Sequence, residues 1–160
     1  MDKVEFLSNV ELFKNLIEEE LAQIERLCRT DEKNPGEKIF QEGEQAGDIC
    51  IVIDGQVDLR FELPGRDATV EHNISSILPG RVFGWSALVP PHIMMLSSYA
   101  GSRPCRFYRI EGKVLIRLFE EEPRIGYLCM RNLTGVIAKR FQRLEDELAR
   151  QEGMNLMHKW

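Results

Sequence analysis

The stretch from Phe83 to Ser98 holds the residues best placed to meet a small ligand: Trp85, Ser86, His92, Ser97 and Ser98. The three hydroxyls can hydrogen-bond an anion, although serines more often cap helices or face solvent. Trp85 can offer a stacking face to a planar ligand, or it can fill the space a ligand would take. The apolar run Ile93-Met94-Met95-Leu96 favours filling, because apolar side chains usually mean core. His92 follows two prolines, and His72 and His158 stand at no ligand spacing from it, which argues against a metal. The four cysteines, Cys28, Cys50, Cys105 and Cys129, form no CxxC pair and suit reduced, mostly buried thiols. No nucleophile–base set or paired carboxylates stand out, so the chain is not expected to be an enzyme. Glu18-Glu19-Glu20 reads as a solvated helix face.

The elements that must position this stretch change character along the chain. Val4, Leu7, Leu12, Phe13, Leu16, Ile17, Leu21, Ile24 and Leu27 recur at helical spacing, in two short pieces broken at Ser8-Asn9. Thr30 to Gly36 is polar and ends in the turn signal Asn34-Pro35-Gly36. From Lys38 to Ile110, short runs rich in Ile, Val and Phe are separated by glycine turns. The expected strands are Ile39-Phe40, Ile49 to Ile53, Val57 to Leu63, Thr69 to Leu78 and Phe107 to Ile110, with Asp54-Gly55 as a hairpin. Lys113 to Phe119 predicts a short helix. A long one then starts at Pro123, a residue suited to a first helical position. It runs to about residue 152, near Gly153, with a stripe of Leu128, Cys129, Leu133, Val136, Ile137, Phe141, Leu144 and Leu148.

Three segments in this order resemble the cyclic nucleotide-binding domain family. Pro35-Gly36-Glu37-Lys38-Ile39-Phe40-Gln41-Glu42-Gly43-Glu44 is similar to that family's first hairpin. Asp48 to Val57, with Ile51-Val52-Ile53-Asp54-Gly55-Gln56-Val57, is similar to its next strand and glycine turn. Pro79-Gly80-Arg81-Val82-Phe83-Gly84 is similar to the lead-in to its phosphate cassette. The resemblance spans nearly all of residues 8–150. It implies an α+β fold: a β-roll, jelly-roll-like and antiparallel, flanked by short N-terminal helices and a long C-terminal helix. Residues 1–153 would form one domain and 154–160 a tail.

The resemblance also implies a ligand site in the cassette, over Phe83, Gly84, Trp85, Ser86, Ala87, Leu88, Met94, Met95, Leu96, Ser97 and Ser98. In the family, backbone amides at a short helix accept the phosphate, an acid after Phe-Gly takes the ribose, and an arginine about ten residues on pairs with the phosphate. Here Trp85 stands at the acid's position. The arginine position falls at Met94, Met95 or Leu96, and no arginine occurs between Arg81 and Arg103. A charged hydrogen bond contributes roughly 1.5–3 kcal/mol, so losing the arginine weakens a cyclic nucleotide about 10- to 150-fold. Losing the acid as well carries micromolar binding towards millimolar. The amides of Trp85, Ser86 and Ala87 leave room for weak binding of a cyclic nucleotide or another small anion, and no other cofactor is expected.

A net charge of −5 disfavours a broad nucleic-acid interface and gives no support for an anionic membrane. There is no apolar run of spanning length and no signal-peptide pattern, so the expected location is the cytoplasm. Relatives that regulate transcription carry a helix-turn-helix after the long helix. Ten residues follow Arg150 here, so no DNA binding by this chain alone is expected. The stripe Leu133, Ile137, Phe141, Leu144 and Leu148 is expected to pack on its own roll up to about residue 137 and, beyond that, on the same helix of a second copy. Two functions follow: a sensor domain with an altered or lost cyclic-nucleotide site that signals through its last helix, or a ligand-free dimerisation or docking module.

Overall fold

The computed structural model describes residues 2–62 and 73–157. Helix α1 (Lys3–Ser8) opens on Asp2, whose carboxylate accepts from the Lys3 amide at 2.8 Å. A 3-10 turn (Glu11–Phe13) follows, then α2 (Glu18–Leu27), so the helical period does break at Ser8-Asn9. Among the described residues eight strands come next: β1 (Arg29–Lys33), β2 (Lys38–Phe40), β3 (Asp48–Asp54), β4 (Val57–Arg60), β5 (Asn73–Ile77), β6 (Val82–Phe83), β7 (Ser97–Ala100) and β8 (Cys105–Glu111). They form two antiparallel sheets, ordered β1-β8-β3-β6 and β2-β7-β4-β5. Helices α3 (Gly112–Glu121) and α4 (Pro123–Met157) close the chain.

The layers follow from the side-chain period of the strands. In β3, Cys50 and Val52 join Phe83, Cys105 and Phe107 in a core shared with Val57, Leu59, Ile77 and Ala100 of the second sheet. Ile49 and Ile51 point the other way and pack with Leu7, Phe13, Ile24, Leu115, Ile125 and Leu133 of the helical segments. The first sheet is therefore the middle layer. Burial on both faces is why β3 reads as a nearly unbroken apolar run. At the β3–β4 turn Gly55 has φ 81°, and a β-carbon there would stand 2.4 Å from the Pro104 carbonyl oxygen. Only glycine fits that approach.

Several boundaries differ from the sequence expectation. Arg29–Lys33, most of it inside the polar stretch taken to lead into a turn, is a strand. It pairs with β8 from Arg29 opposite Arg109 to Lys33 opposite Cys105. An edge strand of charged residues carries no apolar alternation, and its charges guard the open edge. Strand β4 ends at Arg60 rather than Leu63, and β5 ends at Ile77 rather than Leu78, the expected start of that strand at Thr69 falling outside the described residues. Residues 63–72, with His72, lie outside the described residues, as do 158–160 with His158. Helix α3 spans Gly112–Glu121, wider than Lys113–Phe119. Helix α4 does not stop near Gly153 but continues to Met157, so the expected tail is helical over residues 154–157. One internal glycine costs about 1 kcal/mol, too little to end a helix by itself.

Candidate functional site

Strand β6 delivers the chain to Gly84 at φ 71°, where the backbone turns into a 3-10 helix, Trp85–Leu88. A β-carbon on residue 84 would lie 2.8 Å from the Asp48 carbonyl oxygen and 3.0 Å from the Phe40 ring. Glycine is thus required by conformation and by space. Within the turn, the Ala87 amide donates to the Gly84 carbonyl at 3.1 Å. That corrects the expectation of three amides for an anion: the Ala87 donor is spent. Leu88 and Ala87 are buried, in the helical and roll cores respectively.

Trp85 neither stacks in the roll nor fills it. Its indole is half-buried and packs against the helical cluster, on the far side of the first sheet from the roll interior. The space is filled by Met94, which is 4% exposed and belongs to the core between the sheets. Leu96 packs partly buried against the same cluster, whereas Met95 is 65% exposed. The three residues that compete for the arginine's position therefore differ sharply in environment.

The return limb is tied down by the β2–β3 loop. The Gly43 amide donates to the Met94 carbonyl at 2.8 Å, the Met94 amide to the Glu44 carbonyl at 2.9 Å, and the Ala46 amide to the His92 carbonyl at 2.8 Å. His92, at φ 58° after the cis Pro90-Pro91 bond, places Nδ1 3.2 Å from the Ser86 carbonyl oxygen. It braces the turn. Ser97 and Ser98 are buried, and their hydroxyls accept from the amides of Glu42 (2.8 Å) and Phe40 (3.1 Å). These two serines fasten β7 to the first hairpin.

Two charged groups near this segment were not foreseen from the sequence. Arg109 bridges Asp31 and Asp48, each at 3.0 Å, and lies 5.5 Å from the centre of the Phe40 ring that flanks Gly84. Its carboxylates already compensate its charge. The outer face of the second sheet carries the second group. Arg60 lies 3.4 Å from Asp58 and 4.5 Å over the Tyr99 ring, and the Tyr99 hydroxyl donates to Glu62 at 2.6 Å. Hydrogen bonds from Ser97 and Tyr99, with Lys38 at 3.4 Å, bring the Glu62 carboxyl down to about 2. Only alternation along β4 could have signalled this face, since Asp58 and Arg60 flank the inward Leu59.

The surface of α4 divides near residue 137. Leu128, Cys129 and Leu133 are buried against the helical core, and Val136 and Ile137 pack at its margin. Leu133 therefore packs on its own domain, as expected of the stripe up to about residue 137, and does not itself face a partner. Phe141, Leu144 and Leu148 are 61%, 46% and 62% exposed.

The sequence profile of the family described as cyclic nucleotide-binding domain matches residues 31–122, more than half of the chain. A structure described as a cyclic nucleotide-binding protein from Geobacter metallireducens GS-15 superposes with a TM-score of 0.74 at 26% identity, covering 88% of this chain and 99% of the other. The regulatory domain of Toxoplasma gondii PKA, crystallised with cAMP, has a TM-score of 0.70 at 20% identity, covering 86% of this chain and 49% of that one. The Thermus thermophilus catabolite activator protein has a TM-score of 0.70 at 22% identity, covering 87% and 62%. The last two likenesses speak to fold alone. Comparison with curated protein sequences finds no match.

Proposed function

The chain belongs to the cyclic nucleotide-binding domain family, and from that premise we propose that it is a regulatory sensor module, not an enzyme, whose cassette has lost the means to hold a cyclic phosphate. One observation carries this reading: Met94 fills the roll interior beside Gly84, in a segment with no Asp, Glu, Lys or Arg between Arg81 and Arg103. The Toxoplasma relative was crystallised with cAMP. In this chain the residue at the acid's position, Trp85, turns to the helices, and Met94, Met95 or Leu96 stands where an arginine would pair with phosphate. Binding is left to a few backbone amides, worth too little for micromolar affinity.

The output of such a module would be α4. Met130, Thr134, Ile137, Phe141, Leu144 and Leu148 are spaced alternately four and three residues apart, the spacing of a coiled-coil seam. Ile137 sits at the domain's margin and the next three are exposed. A second copy of α4 would cover them, so a homodimer is the assembly this reading expects. The same stripe favours the second reading, a ligand-free dimerisation or docking module. Four free cysteines suit a reducing cytoplasm. Among the described residues no helix is long and apolar enough to cross a membrane.

Thermal shifts across a metabolite panel that includes cyclic AMP and cyclic GMP separate the readings. The sensor reading expects a saturable rise with some compound, but none with micromolar cyclic nucleotide. A flat panel leaves docking, and a saturable response to micromolar cyclic AMP contradicts both.

A further inference from the structure

A cavity of about 150 Å³ lies between the middle of α4, strand β5 and the turn into β6. That is room for several waters or a small anion. Its wall carries Arg81, Lys139, Arg140 and Arg143, with Ser75 and Ser76 on the strand side and Glu11 as its single carboxylate among the described residues. Four cations less one carboxylate leave three positive charges here, on a chain whose net charge is −5. Glu11 is already engaged by Arg81. Among the described residues, no salt bridge joins Lys139, Arg140 or Arg143 to a carboxylate.

The cluster is electrostatically incomplete. Arg140 is half-buried, and Arg143 follows it by one helical turn on the same face. Burial pushes the Arg140 guanidinium below its ordinary value. Glu11 opposes that effect, and the like charge of Arg143 adds to it. A half-buried cation crowded by like charge raises the free energy of a fold, and a bound anion converts that repulsion to attraction. Guanidinium forks match the oxygens of a phosphate group in particular.

We propose that this groove binds a compact phosphate-bearing anion, gripped by Arg140 and Arg143 from α4, with Lys139 and Arg81 beside it and the Ser75 hydroxyl on the facing strand. None of these residues belongs to the segment from Gly84 to Ser98, so the site stands whether or not the cassette binds anything. The anion bridges α4 to the edge of the roll. Phe141 and Leu144, each next in sequence to a gripping arginine, lie on the seam proposed for the dimer. Occupancy of the groove therefore sets the pose of α4.

Calorimetric titration of the full chain with inorganic phosphate, pyrophosphate and glucose 6-phosphate tests this, in about 0.15 M salt to screen loose surface attraction. The expected result is saturable binding of at least one of the three. Whichever binds most tightly tells a free anion from an ester. Arg143→Gln, at an exposed position, should weaken it about tenfold or more. Arg140→Gln should do the same while raising the ligand-free Tm, since it removes a repelled cation. Amide NMR shifts should centre on Ser75, Ser76 and Arg140. The proposal fails if no compound saturates up to millimolar concentration, if both variants bind as the parent does, or if the shifts centre on Gly84 to Ser86.

Discussion

Met94 lies against Gly84: its terminal methyl carbon is 3.6 Å from the point where a β-carbon on residue 84 would stand. The glycine that marks the cassette and the methionine that fills it are thus one packing unit. Met94→Ala should open a cavity between the sheets and lower stability by about 2–5 kcal/mol. Met95→Ala, at a 65% exposed site, should stay within about 0.5 kcal/mol of the parent. Urea unfolding of the two variants checks the contrast. Equal losses would mean that the two side chains are not divided between core and solvent.

Arginine substitutions sharpen the same point. Met94→Arg places an unpaired charge in an apolar core, and should unfold the domain or lower its stability by several kcal/mol. Met95→Arg should fold normally, as circular dichroism and Tm would show. A stable Met94→Arg protein would mean that the roll interior is open to water.

Gly84→Ala meets two penalties, the left-handed backbone at φ 71° and the 2.8 Å approach to the Asp48 carbonyl oxygen. A loss of about 1–3 kcal/mol is expected. An unchanged urea midpoint would contradict the close approach.

Strands β2, β3, β4, β5 and β8, the Asp54-Gly55 hairpin and the frame around Gly84 could be read from the sequence, because glycines at positive φ and apolar runs leave local marks; β6 and β7, only two and four residues long, could not. Strand β1 could not, because a charged edge strand looks like a loop. Nor could the division among Met94, Met95 and Leu96. Three adjacent apolar residues carry no period, and only the clamp from Gly43 and Glu44 decides which one turns inward. Nor does the sequence advertise which way Trp85 turns, because a 3-10 turn has no periodic face. The basic groove draws on Glu11, Arg81 and α4, segments whose meeting no local pattern encodes.

Acid stability should reflect Glu62. Its folded pKa lies below the ordinary 4.5, at about 2, so this carboxylate stabilises the fold fully above pH 4.5. That contribution is lost as pH falls towards 2, where the folded protein also takes up the proton. Glu62→Gln should flatten the decline between those values, and Tyr99→Phe, which removes one donor, should move it to higher pH. Unfolding free energies from pH 5 to 2 measure this; identical slopes in all three proteins would remove Glu62 from the account.

Leu133 and Leu148 should respond oppositely to charge. Leu133→Asp puts a carboxylate at a site 1% exposed in the helical core and should unfold the domain. Leu144→Asp and Leu148→Asp should fold, but sediment as monomers where the parent sediments as a dimer. A parent that is monomeric at high concentration would refute the seam.

The central claim is that the frame around Gly84 no longer holds a cyclic nucleotide. Calorimetric titration of the purified chain with cyclic AMP and cyclic GMP is its most direct test. No saturation, or affinity near millimolar, is the predicted result. Sub-micromolar binding to either nucleotide would contradict it.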